Sequence, residues 1–358
     1  MTLPAPLSGV SLTRHGGPEA LDWRSDITVP SPGPGQVLVR VLAAGLNNTD
    51  INTRIGWYAS EVTSATDAVA EDTDIAAGGW GGALHFPRIQ GGDLCGEVVA
   101  IGEGVQGVAL GQRVTSQINL PRPTTENPMG FIALGSEIDG AFAQYCLMEA
   151  RDLFDVSTSP LSDIEIAAMP CAYGTAWNLL HRAGVASGQQ VLVTGASGGV
   201  GLAAVQLAAH LGASVTGQTS PAKADAVQEA GASDIIPRDA VPAETHFDAV
   251  IDVVGGPAFP ALIRALKPGG HYAVSGAIAG PMVEADLREI YLPDRTICGA
   301  TYQPRDVFAK LVDLINTGAI RPLVSKTYPL RDIGTAQEDF ASKHYPGKLV
   351  LIPPKVTP

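Results

Sequence analysis

Positive charge is scarce in this chain. Lys and Arg number 23 against 36 Asp and Glu, giving a net charge of −13, and no Lys/Arg run occurs. A phosphate backbone would be repelled, which counts against nucleic acid as a partner. Long apolar runs are lacking too: none reaches the roughly 20 residues that a bilayer-spanning helix needs. The start, MTLPAPLSGVSLTRHGG, has no cationic segment followed by an apolar core. These absences point away from the membrane and to a soluble, cytoplasmic protein. The four cysteines, Cys95, Cys146, Cys171 and Cys298, are far apart and form no CxxC pair. That argues against a disulfide framework or a multi-cysteine zinc lobe and leaves buried free thiols. The seven histidines show no ligand spacing such as HxxxH, and only His85, beside Phe86-Pro87, invites a test.

What is present is enough apolar material for sizeable cores: 45% hydrophobic residues in 358, a length that accommodates two domains. The most informative stretch is Gln190–Gly201, QVLVTGASGGVG. A short β-branched run passes into small residues and then into an apolar pattern of helical period, which predicts strand, tight turn, helix. Glycines let backbone approach a ligand, and a helix start offers free N–H groups and a positive dipole end to a phosphate. The GxGxxG pattern fits only with Ala196 in the first glycine's place, leaving Gly198 and Gly201, so context must decide.

Residues 36–47, QVLVRVLAAGLN, alternate as a half-buried strand and lead into the polar loop Gly45-Leu46-Asn47-Asn48-Thr49-Asp50. Residues 59–85 carry acids, small residues and a GGWGG turn, and read as an inserted surface loop. Short apolar runs punctuated by Gly and Pro return from Gly91 to about Val156, predicting a small β-rich domain. From Ser162 onward, helix-period segments alternate with strand-like runs (163–183, 191–194, 199–211, 214–218, 221–230, 234–236, 248–254, 258–266, 271–276, 296–301). That alternation predicts an α/β doubly wound parallel sheet. An amphipathic helix is expected at 305–317, and the tail 322–352 returns to strand. The domain boundaries are accordingly placed at 1–158, 159–320 and 321–358, with the tail rejoining the first domain.

Dinucleotide folds put an Asp or Glu about 20 residues beyond the glycines, on the ribose of NAD. Here the strand ends in Gln218-Thr219-Ser220-Pro221-Ala222-Lys223, and no acid occurs between Glu165 and Asp225, where composition would put roughly six. A 2′-phosphate would meet the hydroxyls of Thr219 and Ser220 and the charges of Lys223 and Arg238. NADP(H) is therefore the expected cofactor.

Taken with Gly16-Gly17-Pro18-Glu19-Ala20-Leu21, Pro32-Gly33-Pro34-Gly35-Gln36-Val37-Leu38-Val39, the ASGGVG turn and Pro346-Gly347-Lys348-Leu349-Val350, the sequence resembles the medium-chain dehydrogenase/reductase superfamily. Within it, the chain is similar to the zinc-independent quinone oxidoreductase-like and enoyl-reductase-like branch, over nearly its whole length outside 59–85. The resemblance implies a GroES-like β-rich catalytic domain completed by the tail, a Rossmann domain between, and a cofactor cleft where they meet. It also accounts for the departure at Ala196, since the family form fits glycines at Gly195, Gly198 and Gly201. Gly199, Val200, Thr175, Ser275, Gly276 and Lys348 join them as implied cofactor contacts. The zinc motifs of alcohol dehydrogenase relatives fall on Asn47, where a thiolate would stand, and on Gly92, where an imidazole would. Cys171 sits where some relatives keep a third ligand. One ligand does not hold a catalytic zinc, so no metal is expected.

Tyr58, similarly placed to the proton-donating tyrosine of the enoyl-reductase branch, is the expected acid, with a pKa near 10; the alternative is an aromatic wall. Asn47 would orient nicotinamide or substrate through its amide, and Asp50 would fix the loop by bonding backbone. Trp57, Trp80 and Phe86 bracket the insertion, which is expected to be a lid or, alternatively, a loop that Trp80 pins to its own domain. The expected activity is NADPH-dependent reduction of a quinone or of the C=C of an α,β-unsaturated carbonyl. Its rivals are a metal-free carbonyl/alcohol dehydrogenase and a non-catalytic NADPH-binding protein. The apolar run Thr296-Ile297-Cys298-Gly299-Ala300 implies a sheet edge that pairs in a homodimer.

Overall fold

A computed structural model describes residues 6–66, 79–80, 82 and 84–355. Most of the expected insertion, at 67–78, 81 and 83, lies outside the described residues. The chain divides into two compact units: Met1–Ser60 with Ala70–Cys171 and Pro304–Pro358, and Glu61–Val69 with Ala172–Gln303.

The first unit is β-rich. It opens with β1 (Leu7–Leu12), β2 (Leu21–Ile27), β3 (Gln36–Gly45), α1 (Asn48–Ile55) and β4 (Arg88–Ile89). It continues through β5 (Cys95–Ile101), β6 (Arg113–Ser116), β7 (Asn119–Pro121), β8 (Phe131–Ala133), β9 (Tyr145–Glu149) and β10 (Leu153–Asp155) to α2 (Asp163–Ala167). The expectation of a half-buried β3 gives way to a strand covered on both faces. Val37, Val39 and Val41 belong to one apolar cluster while Leu38, between them in sequence, belongs to another. A strand that pairs with both β5 and β9 and has core on each side reads as a nearly continuous apolar run.

The segment expected to be one helix at 163–183 is broken at Ala168–Met169, because the residue before a proline is disfavoured in the helical region; α3 (Pro170–Arg182) starts anew there. The second unit then alternates β11 (Gln190–Val193), α4 (Gly199–His210), β12 (Ser214–Thr219), α5 (Ala224–Glu229), β13 (Asp234–Pro237) and β14 (Phe247–Asp252). It ends with α6 (Phe259–Ala265), β15 (Leu266–Val274), α7 (Arg288–Tyr291) and β16 (Thr296–Gly299). Its six strands are all parallel, in the order β13-β12-β11-β14-β15-β16, with the reversal of direction of growth at β11/β14 that marks a doubly wound sheet.

The chain returns to the first unit with α8 (Arg305–Thr317), β17 (Val324–Pro329), α9 (Ile333–Ala341) and β18 (Lys348–Ile352). In the larger sheet the order is β10-β6-β5-β3-β18-β17, so the tail lies beside β3. The units meet in sequence at 171/172 and 303/304 instead of at 158/159 and 320/321. The reason is packing of the flanking helices on the β-rich unit. Arg305 lies 3.9 Å over the Phe154 ring and donates to Leu153 O, Phe308 meets Phe154 at 5.0 Å, and Arg113 holds Asp163 of α2 at 2.7 Å. No helix among the described residues is long and apolar enough to cross a membrane.

Candidate active site

The loop after β3 builds one candidate site, inside the β-rich unit. Leu46 is pinned to the tail strand, its N–H donating to Leu349 O at 3.0 Å. Asn47 then caps α1, and Asp50, three residues on, returns its carboxylate to the Asn47 N–H at 2.8 Å. Burial pushes the Asp50 carboxyl up to about 7; the N–H of Asn47 opposes this, the neighbouring Asp93 charge adds to it, and Lys348 and the Gly91 N–H oppose it again. Asp50 therefore braces a loop.

Asn47 and Lys348 occupy places that the sequence does not announce. Lys348 donates to Leu46 O at 2.8 Å, to Asn47 Oδ1, and to Asp93 Oδ2 at 3.1 Å. Asn47 in turn donates through Nδ2 to Asp93 Oδ2 at 2.9 Å. Both ends of the Asn47 amide thus have a partner within the cluster. All three Lys348 donors are engaged within the cluster. Asp93, which sequence reasoning passed over, is the hub: its other oxygen accepts the Cys171 N–H at 2.6 Å at the start of α3. The only signal for it was its position in the Gly91-Gly92-Asp93 segment, one residue past the missing imidazole.

Tyr58 follows the Gly56 C-cap of α1, whose φ of 72° turns the chain back. Its hydroxyl donates to Thr49 Oγ1 at 2.9 Å. The ring stacks on Trp80 at 6.0 Å with 11° between planes and meets Trp57 edge-on at 5.5 Å; Trp80 meets Phe131 at 6.3 Å. Burial pushes the phenol up to about 12, against the hydrogen bonds of Thr49 and Asn52. Trp80 is tied down by its own N–H to Ser136 Oγ at 3.1 Å. Phe86 does not join this group; it packs on His15 at 4.9 Å, and His85 is exposed.

Zinc does not fit these residues. A Cβ built on Gly92 would come within 2.0 Å of Ile118 Cδ1, so an imidazole there would need that side chain to move. Asn47 offers an amide already in use, and a buried ammonium stands against Asp93. Among the described residues, no three His, Cys, Asp or Glu side chains converge as a metal's donors.

A separate candidate site lies inside the parallel-sheet unit, at the end of β11. Gly195 has φ +55°, and a Cβ on Gly201 would lie 2.1 Å from Gly195 O, so both positions require glycine. Gly198 caps α4 without a side chain, and the first N–H groups of the helix, from Gly199, Val200 and Gly201, have no intrahelical carbonyl to meet. Beneath the turn, Asp252 accepts from Thr194 Oγ1 at 2.5 Å, from Tyr272 and from the Val254 N–H at 2.8 Å. Ser275 donates to Ala300 O at 3.1 Å, and Gly276 lies against Val253, where a Cβ would come within 2.8 Å of its carbonyl. Thr175 lies half-buried on α3. At the end of β12, Gln218 takes the place of the usual acid and spends its amide on the carbonyls of Pro237, Arg238 and Ala240, at 3.0–3.4 Å. Thr219 Oγ1 is buried with no hydrogen-bond partner among the described residues. Lys223, just past the end of β12, is held below its ordinary value by burial and then by the nearby Arg238 charge.

Two family models match this chain: an alcohol dehydrogenase GroES-like domain over 33–158 and a zinc-binding dehydrogenase over 199–317. Acryloyl-coenzyme A reductase of Metallosphaera sedula is 30% identical over 91% of this chain and 95% of its own length. The chain belongs to the medium-chain dehydrogenase/reductase superfamily. Within the superfamily its place is the quinone- and enoyl-reductase-like branch, and it is an oxidoreductase. The quinone oxidoreductase of Lama guanicoe is 28% identical over 97% of each chain. Among solved structures, a candidate alcohol dehydrogenase from Sinorhizobium meliloti 1021 superposes with a TM-score of 0.87 at 38% identity, covering 99% of this chain and 98% of its own. The GroES-like and Rossmann architecture of this superfamily member is the one expected from its residues.

Proposed function

We propose that this superfamily member is an NADPH-dependent reductase that adds hydride, without a metal, to the C=C of an α,β-unsaturated carbonyl or to a quinone. The observation that carries the reading is Tyr58: a phenol held protonated at neutral pH, anchored on Thr49, in a cluster whose residues do not fit zinc. When bound, the cofactor supplies the hydride that reduces the β-carbon. Tyr58 then gives its proton to the α-carbon and recovers it from water, so the net reaction consumes one hydride and one proton. Asp50 and Asn47 hold the loop that carries this phenol, and the half-buried ring packs against Trp80 and Trp57.

NADPH in place of NADH is supported by Thr219 Oγ1, which lacks a partner among the described residues, and by Lys223 and Arg238 standing close enough to repel each other. A 2′-phosphate would relieve that repulsion. Gly195, Gly198, Gly199, Val200 and Gly201 would hold the pyrophosphate on the α4 start. Thr175, Ser275 and Gly276 belong to the same proposal as nicotinamide-side contacts. A second copy of the chain is the expected partner along β16, the open edge of the parallel sheet. Ile297 is exposed there, and Met282, Leu287, Tyr291 and Leu292, just before it in sequence, are more than 60% exposed.

The test is NADPH oxidation across quinones, enones, enoyl thioesters and aldehydes, with product identification, run with and without chelator. A saturated ketone from an enone, undiminished by chelation, is the expected result. An allylic alcohol would favour the C–O dehydrogenase, and tight binding without turnover would favour a binding protein. Loss of activity with removal of one zinc equivalent would overturn the metal-free chemistry.

A further inference from the structure

Lys348 and Asp93 form the most deeply withdrawn ion pair among the described residues, with side chains 3% and 0% exposed. Such a pair is a poor device for stability alone, since apolar residues of similar volume often serve as well. What the ammonium grips is Asn47 Oδ1 and Leu46 O, the two residues through which β3 turns into α1. Asp93 grips the same residue from its other end, taking Asn47 Nδ2 at 2.9 Å. Asn47 is bonded forward to Asp50 in the first turn of α1. Thr49, between them, carries the hydroxyl that receives the Tyr58 phenol at 2.9 Å. The Trp57 N–H, donating to Asn52 O at 2.8 Å, ties the chain before Tyr58 back to the same helix. A continuous line of contacts therefore runs from Lys348 through Asn47 and α1 to the Tyr58 hydroxyl.

We propose that Lys348, with Asp93 as its counter-ion, is a positioning residue that fixes the start of α1 and thereby aims the Tyr58 phenol through Thr49. The inference rests on Tyr58 as the proton donor. It gives the buried ammonium a task that touches neither cofactor nor substrate. Removing the side chain beyond Cβ leaves an ammonium-sized space faced by Leu46 O, Asn47 Oδ1 and Asp93 Oδ2, which suits a primary alkylammonium ion.

The experiment compares wild type, Lys348→Ala, and Lys348→Met/Asp93→Asn, each with its Tyr58→Phe counterpart. It reads phenolate absorbance at 295 nm after a rapid jump to pH 10.5, together with kcat and KM for an enone. In wild type a phenol at about 12 is only a few per cent ionised at that pH. In Lys348→Ala, the loosened phenol leaves its Thr49 anchor and is hydrated more fully, and about three-quarters ionises, as for a pKa near 10. The expected kcat falls at least tenfold with a smaller change in KM, and n-propylammonium restores both readouts while tetramethylammonium, which has no N–H, restores neither. The double variant removes both charges and keeps the volume, so it tests the same loss if Lys348→Ala does not fold. Tyr58 ionisation and kcat unchanged in the variants would overturn the proposal. Absence of enone reduction in wild type would overturn the reductase reading alone, because the ionisation measurement still judges Lys348.

Discussion

Asp50→Asn is expected to make the protein more stable at neutral pH and to leave it nearly unchanged in acid. Asp50 is 4% exposed, and burial is the main cause that lifts its carboxyl from 3.8 to about 7. The unfolded chain releases this proton near 3.8 while the folded chain keeps it until about 7. Folding therefore binds a proton across that window, and stability falls by about 1.4 kcal/mol for each pH unit. The contribution is complete below pH 3.8 and lost as pH rises through 7. Between pH 4.5 and 7 the cost is on the order of 3 kcal/mol. Asparagine removes the ionisation yet can still accept the Asn47 N–H through Oδ1. The assay is urea unfolding of variant and wild type at half-unit steps from pH 4.5 to 8, followed by tryptophan fluorescence, since Trp57 and Trp80 lie near α1. The difference between the two proteins should grow in the variant's favour up to pH 7 and then level off. A difference that stays constant across the range would refute the buried, proton-retaining carboxyl.

Lys223→Ala should weaken NADPH binding by about ten- to hundredfold, the worth of a charge-assisted phosphate contact, and leave NADH unchanged; isothermal titration with both cofactors checks it, and an equal loss for both would remove the 2′-phosphate assignment. Ile297→Asp should convert a dimer to a monomer in light scattering, with the thermal midpoint of the wild-type monomeric fold retained; a wild type that is itself monomeric sinks the edge pairing. Trp80→Ala should change the ratio of kcat/KM between cyclic and linear enones by about tenfold, the scale of one lost apolar pocket contact. An unchanged ratio with a lowered thermal midpoint would confine Trp80 to pinning its loop.

The architecture was legible because period and punctuation agree along the chain. The turn at Gly195–Gly201 sits where the strand-to-helix switch predicts it, and α8 (Arg305–Thr317) coincides with its amphipathic pattern. The unit boundaries were less so. Helical period says that a helix forms but not which core its apolar face enters, and α8 turns that face to the β-rich unit through Phe308 on Phe154. The loop residues Asn47, Asp50 and Tyr58 could be named from motif position alone. Their partners could not, since Lys348 and Asp93 reach Asn47 across 301 and 46 positions of sequence. The resemblance puts Lys348 among the cofactor contacts, and its turn toward Leu46, Asn47 and Asp93 is visible only once β18 is seen beside β3.

The glycine at position 92 has a consequence for what this scaffold can become. Ile118 fills the space that a side chain would need there, with its Cδ1 2.0 Å from the place of a Cβ. A lineage acquiring histidine at 92 would first meet that clash, and would gain nothing until Asn47 became a thiolate and Lys348 gave up Asp93. Removing Lys348 by itself leaves a buried carboxylate uncompensated, at a cost of about 3–5 kcal/mol. Packing at 92 and charge at 348 would thus each set a cost on a step toward a three-ligand metal site.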